Sequence, residues 1–371
     1  MLIAHMAPQG SLLEIPDLLT APLFALLVST SMWLDWRHRS TTAQPWLFSQ
    51  VLRGLTLIVA GELVQPIYDQ VVVVLQTLGF LTIVLALVVP LLHARPVISL
   101  VIAAVLVDTM PDAMWAARDA LPPGGFATWL VDQLLTGDSY RLSTFLPIGL
   151  AGLALAHWLH RIHRRPTRTR TLLVLAAALT VLAIGMIAVG RALPGGLVPY
   201  SGTQVEVTTS LLLASAVVVW CAWIALVLPA HRRNVVAPLI ATGRLALTAY
   251  VAQLLLLAFI SLRFGVRESW LVLVIVTVAL VGFCWAWTRA DGPQLLESLL
   301  RWQQLVKRPG VRPGDADGAS AQGIRSPDWQ PVAKTKRNGW EPGDPSPRRA
   351  YPEELNLLEH EPETPGTPEV A

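Results

Sequence analysis

Long apolar stretches alternate with short polar connections along most of the chain, and this pattern predicts a membrane protein. Each stretch covers roughly 17 to 25 positions, the length at which a helix crosses a hydrocarbon core of about 30 Å. The second stretch is barely long enough and the fourth is interrupted. The predicted fold is an all-α, polytopic transmembrane bundle of about nine helices: Leu18–Leu34, Val51–Ile67, Val71–Leu92, Val97–Trp115, Leu142–Leu159, Thr171–Gly190, Val207–Leu228, Pro238–Ile260 and Trp270–Trp287.

Composition agrees with this pattern, because 53% of the 371 residues are hydrophobic and only 14% are charged. Such a balance favours a helical bundle in lipid over several soluble domains. The predicted domains are an external segment (1–17), the bundle (18–288), an amphipathic interfacial helix (289–308) and a disordered, proline-rich cytoplasmic tail (309–371). Membrane lipid is therefore an expected partner, and the bundle is compatible with an oligomer.

Basic residues concentrate in alternate connections, which predicts the orientation. One set of connections holds most of the arginines, including the run from Arg161 to Arg170, whereas the other set holds far fewer. Because cytoplasmic loops carry the excess of Lys and Arg, the first set is predicted to be cytoplasmic. The chain should then lie in the cell membrane with its N-terminus outside and its C-terminus in the cytoplasm. These basic residues sit at helix ends and not on a soluble basic module, so nucleic acid is not expected as a partner.

Some residue types carry little functional information in this setting. Tryptophans near helix ends, such as Trp33 and Trp158, are typical of interfacial anchors. Three histidines at positions 157, 160 and 163 follow one another at helical spacing, but arginines surround them and neither cysteine nor carboxylate joins them. That setting disfavours a divalent ion, and no metal is expected.

Polar residues at membrane depth are the candidates for chemistry, because they are costly there and tend to line cavities or to pair. The second helix carries Arg53 near its inner end and Glu62, Gln65 and Asp69 towards its outer end. Their spacing places the last three on one helical face. Pro66 lies among them and is expected to end or bend the helix.

Two further helices carry polar pairs. Asp108 and Asp112 lie four residues apart near the outer end of the fourth helix, and Trp115 follows them. Two close carboxylates can differ in pKa, so that one of them serves as a base. Alternatively, Asp112 caps a helical turn and Asp108 pairs with an arginine. The eighth helix places Arg244 and Thr248 on one face, where the guanidinium could clasp phosphate or extend to the interface.

Three groups of residues resemble the heparan-α-glucosaminide N-acetyltransferase-like membrane proteins and their bacterial relatives of unknown function, in the transmembrane acyltransferase superfamily. The third group is the most specific. These groups are Ala21–Leu27; Leu135-Thr136-Gly137 with Phe145-Leu146-Pro147 and Gly149–Gly152; and Gly243–Tyr250 followed by Gly292-Pro293.

The resemblance implies an acyltransferase that moves an acyl group, acetyl above all, from cytoplasmic acyl-CoA to an extracytoplasmic sugar or glycolipid. His5 would match the family's proposed catalytic histidine and would act with Asp108 or Asp112 as general base, or form an acyl-histidine. Arg53, Arg244 and Thr248 would bind acetyl-CoA. Glu62, Asp69 and Trp115 would contact the acceptor.

The chain departs from this family in two respects. The helix that should precede His5 is absent, and the outer-face acidic signature expected near the histidine is only loosely matched. We therefore expect the natural product to start upstream of Met1 and to carry one more helix. Two other functional classes fit the same polar residues. A multipass transporter or flippase would also place Glu62, Asp108 and Arg244 within the membrane, and a non-catalytic scaffold would use the proline-rich tail to recruit partners.

Overall fold

Every regular element that the computed structural model describes is an α-helix, which confirms the predicted fold class. The structure describes residues 15–38, 42–65, 73–122, 125–131, 140–193, 197–229, 233–264 and 270–290. In chain order the helices are α1 Ile15–His38, α2 Ala43–Val64, α3 Leu75–Leu92, α4 Pro96–Asp119, α5 Phe126–Val131, α6 Leu142–His163, α7 Arg168–Ala192, α8 Gln204–Val227, α9 Arg233–Arg244, α10 Ala246–Phe264 and α11 Trp270–Arg289.

Six of these helices are long and apolar enough to cross a membrane, namely α1, α2, α3, α6, α7 and α8. The pair α9 and α10 meets the same criterion when the two are taken together, and α4 and α11 contain shorter apolar segments. Each of the nine predicted stretches thus corresponds to a helix or to this pair. Several apolar helices of spanning length indicate a multipass membrane protein.

The predicted second and fourth helices differ from the observed ones at their ends. α2 begins at Ala43, eight residues before the predicted start, and is therefore a full-length span of 22 residues. Its last helical residue is Val64, and Gln65 at the C-cap still has helical dihedral angles and donates its backbone N–H to the carbonyl oxygen of Gly61. The proline at position 66 has no N–H with which to continue the backbone ladder. The common face predicted for Glu62, Gln65 and Asp69 stays a prediction, because Gln65 lies at the C-cap with helical dihedral angles and Asp69 lies outside the described residues. α4 continues without interruption to Asp119, so the predicted break is also wrong.

The predicted eighth helix is not one continuous helix. It divides at Leu245 into α9 and α10, whose axes are bent by 86°. Arg244 ends α9 and Thr248 lies in the first turn of α10. The prediction that these two side chains share one helical face is therefore wrong, because a common face requires an unbroken helix between them.

Helix α6 forms the centre of the bundle and packs against α1, α3, α4 and α8. In its most apolar segment 78% of the residues are buried, against 17% in α7. Ile148 and Leu153 are fully enclosed, and Gly152 faces Ser29 of α1, where a larger residue would not fit. The low burial of α7 is what an outer helix facing lipid should show.

Glycines bring the backbones of α2 and α3 into direct contact. A Cβ atom at Gly54 would lie 2.7 Å from the carbonyl oxygen of Gly79, and one at Gly79 would lie 2.6 Å from the carbonyl oxygen of Gly54. Small residues at such interfaces allow close van der Waals packing, on which helix association in membranes depends.

Candidate functional site

Polar and aromatic side chains, some of them buried, gather at two ends of the bundle. The first group lies where α1, α3 and α6 end and α2 begins, and we name it the arginine–histidine site, formed by Trp33, Asp35, Gln50, Arg53, His93, His157 and His160. The second lies where α1, α6 and α8 begin, and we name it the tyrosine site, formed by Asp17, Tyr140, Tyr200, Glu206 and Tyr250. Both sites combine residues that are distant in the sequence.

One half of the arginine–histidine site is centred on Asp35 of α1. Its Oδ2 atom accepts hydrogen bonds from Trp46 Nε1 at 2.8 Å and from Gln50 Nε2 at 2.7 Å. Arg53 lies one turn beyond Gln50, close enough for electrostatic attraction to the carboxylate. Asp35 therefore holds the start of α2 against α1 and places the Arg53 guanidinium inside the bundle.

The other half is centred on Trp33, which is 1% exposed. Trp33 Nε1 donates to the carbonyl oxygen of His93 at 2.8 Å, and His157 Nδ1 lies 3.3 Å from the same oxygen. The indole ring packs on His157 and His160 at centroid distances of 5.8 and 5.5 Å, and Arg37 stacks over it at 5.4 Å. The prediction that Trp33 is an interfacial anchor is thus wrong.

Trp36 joins the two halves. Its ring meets Trp46 at a centroid distance of 4.8 Å and His93 at 5.8 Å. The two halves are therefore parts of one continuous aromatic and polar cluster.

Several buried polar atoms of this site have no hydrogen-bond partner among the described residues. They are Gln50 Oε1, Arg53 Nε, His157 Nε2 and His160 Nε2. A buried polar atom is normally satisfied, so a group of four in one place indicates that water, an ion or a ligand completes the site. Arg37, Arg161 and Arg164 lie close to the two histidines, which makes the local field positive.

The tyrosine site begins with two residues that precede helices. Tyr140 leads into α6 and Tyr200 leads into α8, and their rings meet at right angles with centroids 5.4 Å apart. Their side chains are also hydrogen-bonded to each other. Burial is the main cause that raises the pKa of both Tyr140 and Tyr200, so both hydroxyls stay protonated near neutral pH.

Glu206 lies in the first turn of α8 and is 3% exposed. Its Oε2 atom accepts from the backbone N–H of Gly202 at 2.9 Å, while its own N–H donates to Thr203 Oγ1 at 3.3 Å. This is a variant of the capping box, in which the carboxylate reaches one residue further back than usual. Arg141 lies nearby and donates to the carbonyl oxygen of Ser201 at 3.1 Å.

Tyr250 of α10 completes the tyrosine site. It is 7% exposed and lies beside Tyr140 and the backbone of Val74. Its hydroxyl makes no hydrogen bond of acceptable geometry within the described part of the chain. Ser210, one turn after Glu206 on the same face of α8, is fully buried and its hydroxyl also has no partner there.

The residues proposed from the sequence for binding and catalysis lie in different parts of the structure. Arg53 lies in the arginine–histidine site. Asp108 is exposed on α4 and accepts from Gln204 Nε2 at 2.7 Å, beside the first turn of α8. Glu62 and Arg244 are both exposed, on α2 and α9, and Thr248 is buried.

The remaining proposed residues are not placed. His5 and Asp69 lie outside the described residues, as do the segment 291–308 and the tail. The backbone of α4 includes Asp112 and Trp115, but their side chains lie outside the described part. Among the described residues, no three histidine, cysteine or acidic side chains come together in a way that could hold a metal ion.

Sequence reasoning missed most of the two sites. The sequence indicates only that the histidines of α6 are unsuited to a metal ion, and no pattern in it points to the tyrosines. One signal was readable, because Thr203 and Glu206 have the spacing of a capping box and so mark a polar helix start just after Tyr200.

Comparison with known proteins gives a family of undefined function. No curated protein matches the chain, and no solved structure matches it. Residues 153–307 match a family model described as protein of unknown function (DUF418). This region is less than half of the chain and includes His157, His160, Tyr200, Glu206 and Tyr250. Over that region, the chain is similar to a family of multipass membrane proteins of unknown function.

Proposed function

We propose that this chain is an integral membrane acyltransferase, which takes an acyl group, acetyl above all, from cytoplasmic acyl-CoA to an extracytoplasmic sugar or glycolipid. The observation that carries the proposal is the arginine–histidine site. It presents the half-buried Arg53, the buried His157 and the half-buried His160, whose buried Nε, Nε2 and Nε2 atoms have no hydrogen-bond partner among the described residues.

The chemistry of this site suits the donor. Acyl-CoA carries several phosphate groups, and guanidinium groups recognise phosphate through strong, charge-assisted hydrogen bonds. Arg53 would contact one phosphate through its Nε atom, and Arg37 and the basic residues at the end of α6 would add attraction. The distribution of arginines supports a cytoplasmic location for this site. The end of the bundle that contains the site carries most of the arginines, and that end is predicted to face the cytoplasm.

The reaction itself requires a base near the acceptor. The acceptor oxygen or nitrogen attacks the thioester carbonyl carbon, the carbon–sulfur bond breaks, and coenzyme A leaves as its thiol after taking up the proton that the base has removed. His5 with Asp108 or Asp112 is proposed as that base, and a covalent acyl-histidine is the second route. The exposed position of Asp108 beside Gln204 supports contact with an acceptor from outside.

The test is acetyl-CoA binding and thioester cleavage by the purified protein in nanodiscs. Arg53→Ala should weaken binding by about 1.5 to 3 kcal/mol, the range for hydrogen bonds to charged groups. Arg53→Lys should restore it only in part, since an ammonium lacks the planar fork. Arg95→Ala is the matched control, because Arg95 lies exposed at the start of α4 in the same arginine-rich end.

Acetyl-CoA binding by Arg244→Ala should be measured in the same assay. Arg244 is exposed on a different element, so weaker binding by this variant would indicate a second contact between the protein and the cosubstrate. Equal acetyl-CoA affinity of Arg53→Ala, Arg95→Ala and the unmodified protein would refute the donor site. Binding without any thioester cleavage in the presence of acceptors would refute the transferase.

The bend between α9 and α10 favours a second candidate, a transporter or flippase. Discontinuous helices are typical of transporters, in which the broken point contributes to the substrate site. Movement of solute or lipid across proteoliposomes without consumption of acyl-CoA would support this alternative.

A further inference from the structure

Helix α9 presents its largest apolar side chains to the outside of the protein. Val235, Leu239 and Ile240 are 77, 66 and 51% exposed. Ala237 and Ala241 each lie two residues from Leu239, a rotation of about 200° that places both alanines on the opposite side of the helix, and Ala241 is buried. A helix in water has the reverse arrangement, with its large apolar side chains turned towards the protein. The exposed side of α9 therefore has the character of a surface that faces lipid.

The direction of α9 in the membrane follows from its neighbours. α10 has 19 residues, which rise about 28 Å and so cross a hydrocarbon core of about 30 Å without help from α9. Leu245 and Ala249, where α10 begins, share a cluster with Cys284, and Leu257 shares another cluster with Val276. α10 and α11 are therefore antiparallel neighbours, and an axis bent by 86° from α10 is nearly perpendicular to both. With α10 across the bilayer, α9 lies along its plane.

The depth of α9 follows from its contact with α11. α9 packs against α11, and Leu245, directly after α9, belongs to the cluster that includes Cys284. Cys284 lies five residues before Arg289, the last residue of α11, so this cluster is about 7.5 Å from that end of the helix. Amphipathic helices that lie in a membrane surface are buried by about 5 to 10 Å. The position of α9 agrees with the boundary between headgroups and acyl chains.

Positive charge at this end of the helices indicates the kind of lipid. Arg244 ends α9 and Arg289 ends α11, both side chains are exposed, and the Arg289 guanidinium lies over the Trp285 ring at 4.8 Å. The sequence adds Arg232 and Arg233 at the start of α9, and neither α9 nor α11 contains an acidic residue. This end is predicted to face the cytoplasm, where basic segments beside the membrane attract anionic phospholipids.

We propose that α9 is an interfacial helix that binds anionic phospholipid at the cytoplasmic surface of the membrane. Val235, Leu239 and Ile240 contact the acyl chains just below the headgroups, and Arg244 and Arg289 contact the phosphate groups. The bend at Leu245 then marks the place where the chain leaves the membrane surface and enters the bilayer as α10. This surface shares no residue with the arginine–histidine site, so lipid binding here does not depend on acyl transfer.

The first measurement is the depth of α9. The full chain without Cys221 and Cys284 carries a fluorophore on a single cysteine, Leu239→Cys or Ile240→Cys, in phosphatidylcholine vesicles. Phosphatidylcholine with a nitroxide either near the headgroup or near the end of the acyl chain quenches the fluorophore according to depth. We expect the shallow nitroxide to quench both positions more strongly.

Two control positions calibrate this depth measurement. Val181→Cys lies in the middle of α7 at a position that is 69% exposed, and the deep nitroxide should quench it more strongly. Thr167→Cys lies exposed in the connection after α6, and neither nitroxide should quench it appreciably.

The second measurement tests the headgroup with the same fluorophore at position 239. Phosphatidylglycerol that carries the shallow nitroxide should quench it more strongly than the matching phosphatidylcholine. Arg244→Gln should lower this preference about fivefold, the equivalent of about 1 kcal/mol for one arginine at a membrane surface, and Arg289→Gln should lower it as well. Arg263→Gln is the matched control, because Arg263 is exposed at the other end of α10, and it should leave the preference unchanged.

The thermal unfolding midpoint verifies that each variant is folded. Quenching at positions 239 and 240 as slight as at position 167 would overturn the proposal, because water or a second copy of the chain would then cover α9. Stronger quenching by the deep nitroxide would overturn it too, since α9 would then enter the bilayer core, as the transporter candidate requires. Equal quenching by the two headgroups would rule out the anionic partner. No acyl-CoA is present in these vesicles, so each result stands apart from the fate of the transferase proposal.

Discussion

At the scale of single residues, Trp33 connects three helices of the bundle. Its N–H reaches the carbonyl oxygen of His93 at the end of α3, and its ring rests on the two histidines of α6. A carbonyl at the end of a helix has no intrahelical partner, so the indole satisfies a group that would otherwise need water. Trp33 thus donates a hydrogen bond to the backbone at the end of α3 and also packs within the arginine–histidine site.

Replacing Trp33 by phenylalanine should destabilise the bundle modestly. The lost hydrogen bond should cost about 0.5 to 1.5 kcal/mol, and the cavity left by the smaller ring adds to that cost because Trp33 is fully buried. Trp158→Phe is the control, because Trp158 is 38% exposed on the same helix as the two histidines. The thermal unfolding midpoint in detergent should fall for Trp33→Phe and stay constant for Trp158→Phe, and the opposite order would show that Trp33 is not a structural link.

At the scale of elements, the closest helix contact is between α2 and α3. Gly54 and Gly79 each face the carbonyl oxygen of the other, so neither position has space for a methyl group. Overpacking of this kind forces the backbones apart and costs about 1 to 3 kcal/mol.

We expect Gly54→Ala to lower the unfolding midpoint and Gly185→Ala to leave it unchanged or raise it. Gly185 lies within α7 with no atom near the position of a Cβ, and alanine is a better helix former than glycine by about 1 kcal/mol. Both variants are measured in the same detergent. A fall of equal size in both would mean that the glycine contact does not hold α2 to α3.

The elements were more predictable than the sites. Apolar length is a property of one segment alone, and it located α1, α3, α6, α7 and α8 well. It could not show which face of a helix meets protein and which meets lipid, so Trp33 was mistaken for an anchor.

The helix break and the long-range contacts cannot be predicted from the sequence either. Residues 235–260 are together long and apolar enough for one spanning helix, and only the three-dimensional structure shows the 86° bend between the two segments. The meeting of Tyr140, Tyr200 and Tyr250 depends on how three segments assemble, and nothing within any one segment indicates it.

At the scale of the whole molecule, the two ends of the helical unit have opposite chemistry. One carries arginines and histidines, and the other carries tyrosines and carboxylates. The connection after α6 belongs to the basic end and the segment around α5 to the other, so their sides of the membrane test the predicted orientation.

Single cysteines at Thr167 and Ala127, in a background without Cys221 and Cys284, provide that test. Both positions are exposed. We expect a membrane-impermeant maleimide, added to intact cells, to label position 127 and to label position 167 only after permeabilisation. Labelling of position 167 alone in intact cells would reverse the orientation, and with it the sides proposed for donor and acceptor.

The contact between Gly54 and Gly79 also bears on how the chain enters the membrane. α2 includes Arg53 and Glu62, and an arginine near the centre of a helix opposes insertion by about 2.5 to 3.5 kcal/mol. α3 has no charged residue and joins α2 through a short connection. Because their backbones fit against each other, the two can leave the translocon as a helical hairpin, in which the apolar partner offsets the cost of the charged one. Arg53 would then reach its depth in the membrane only together with α3.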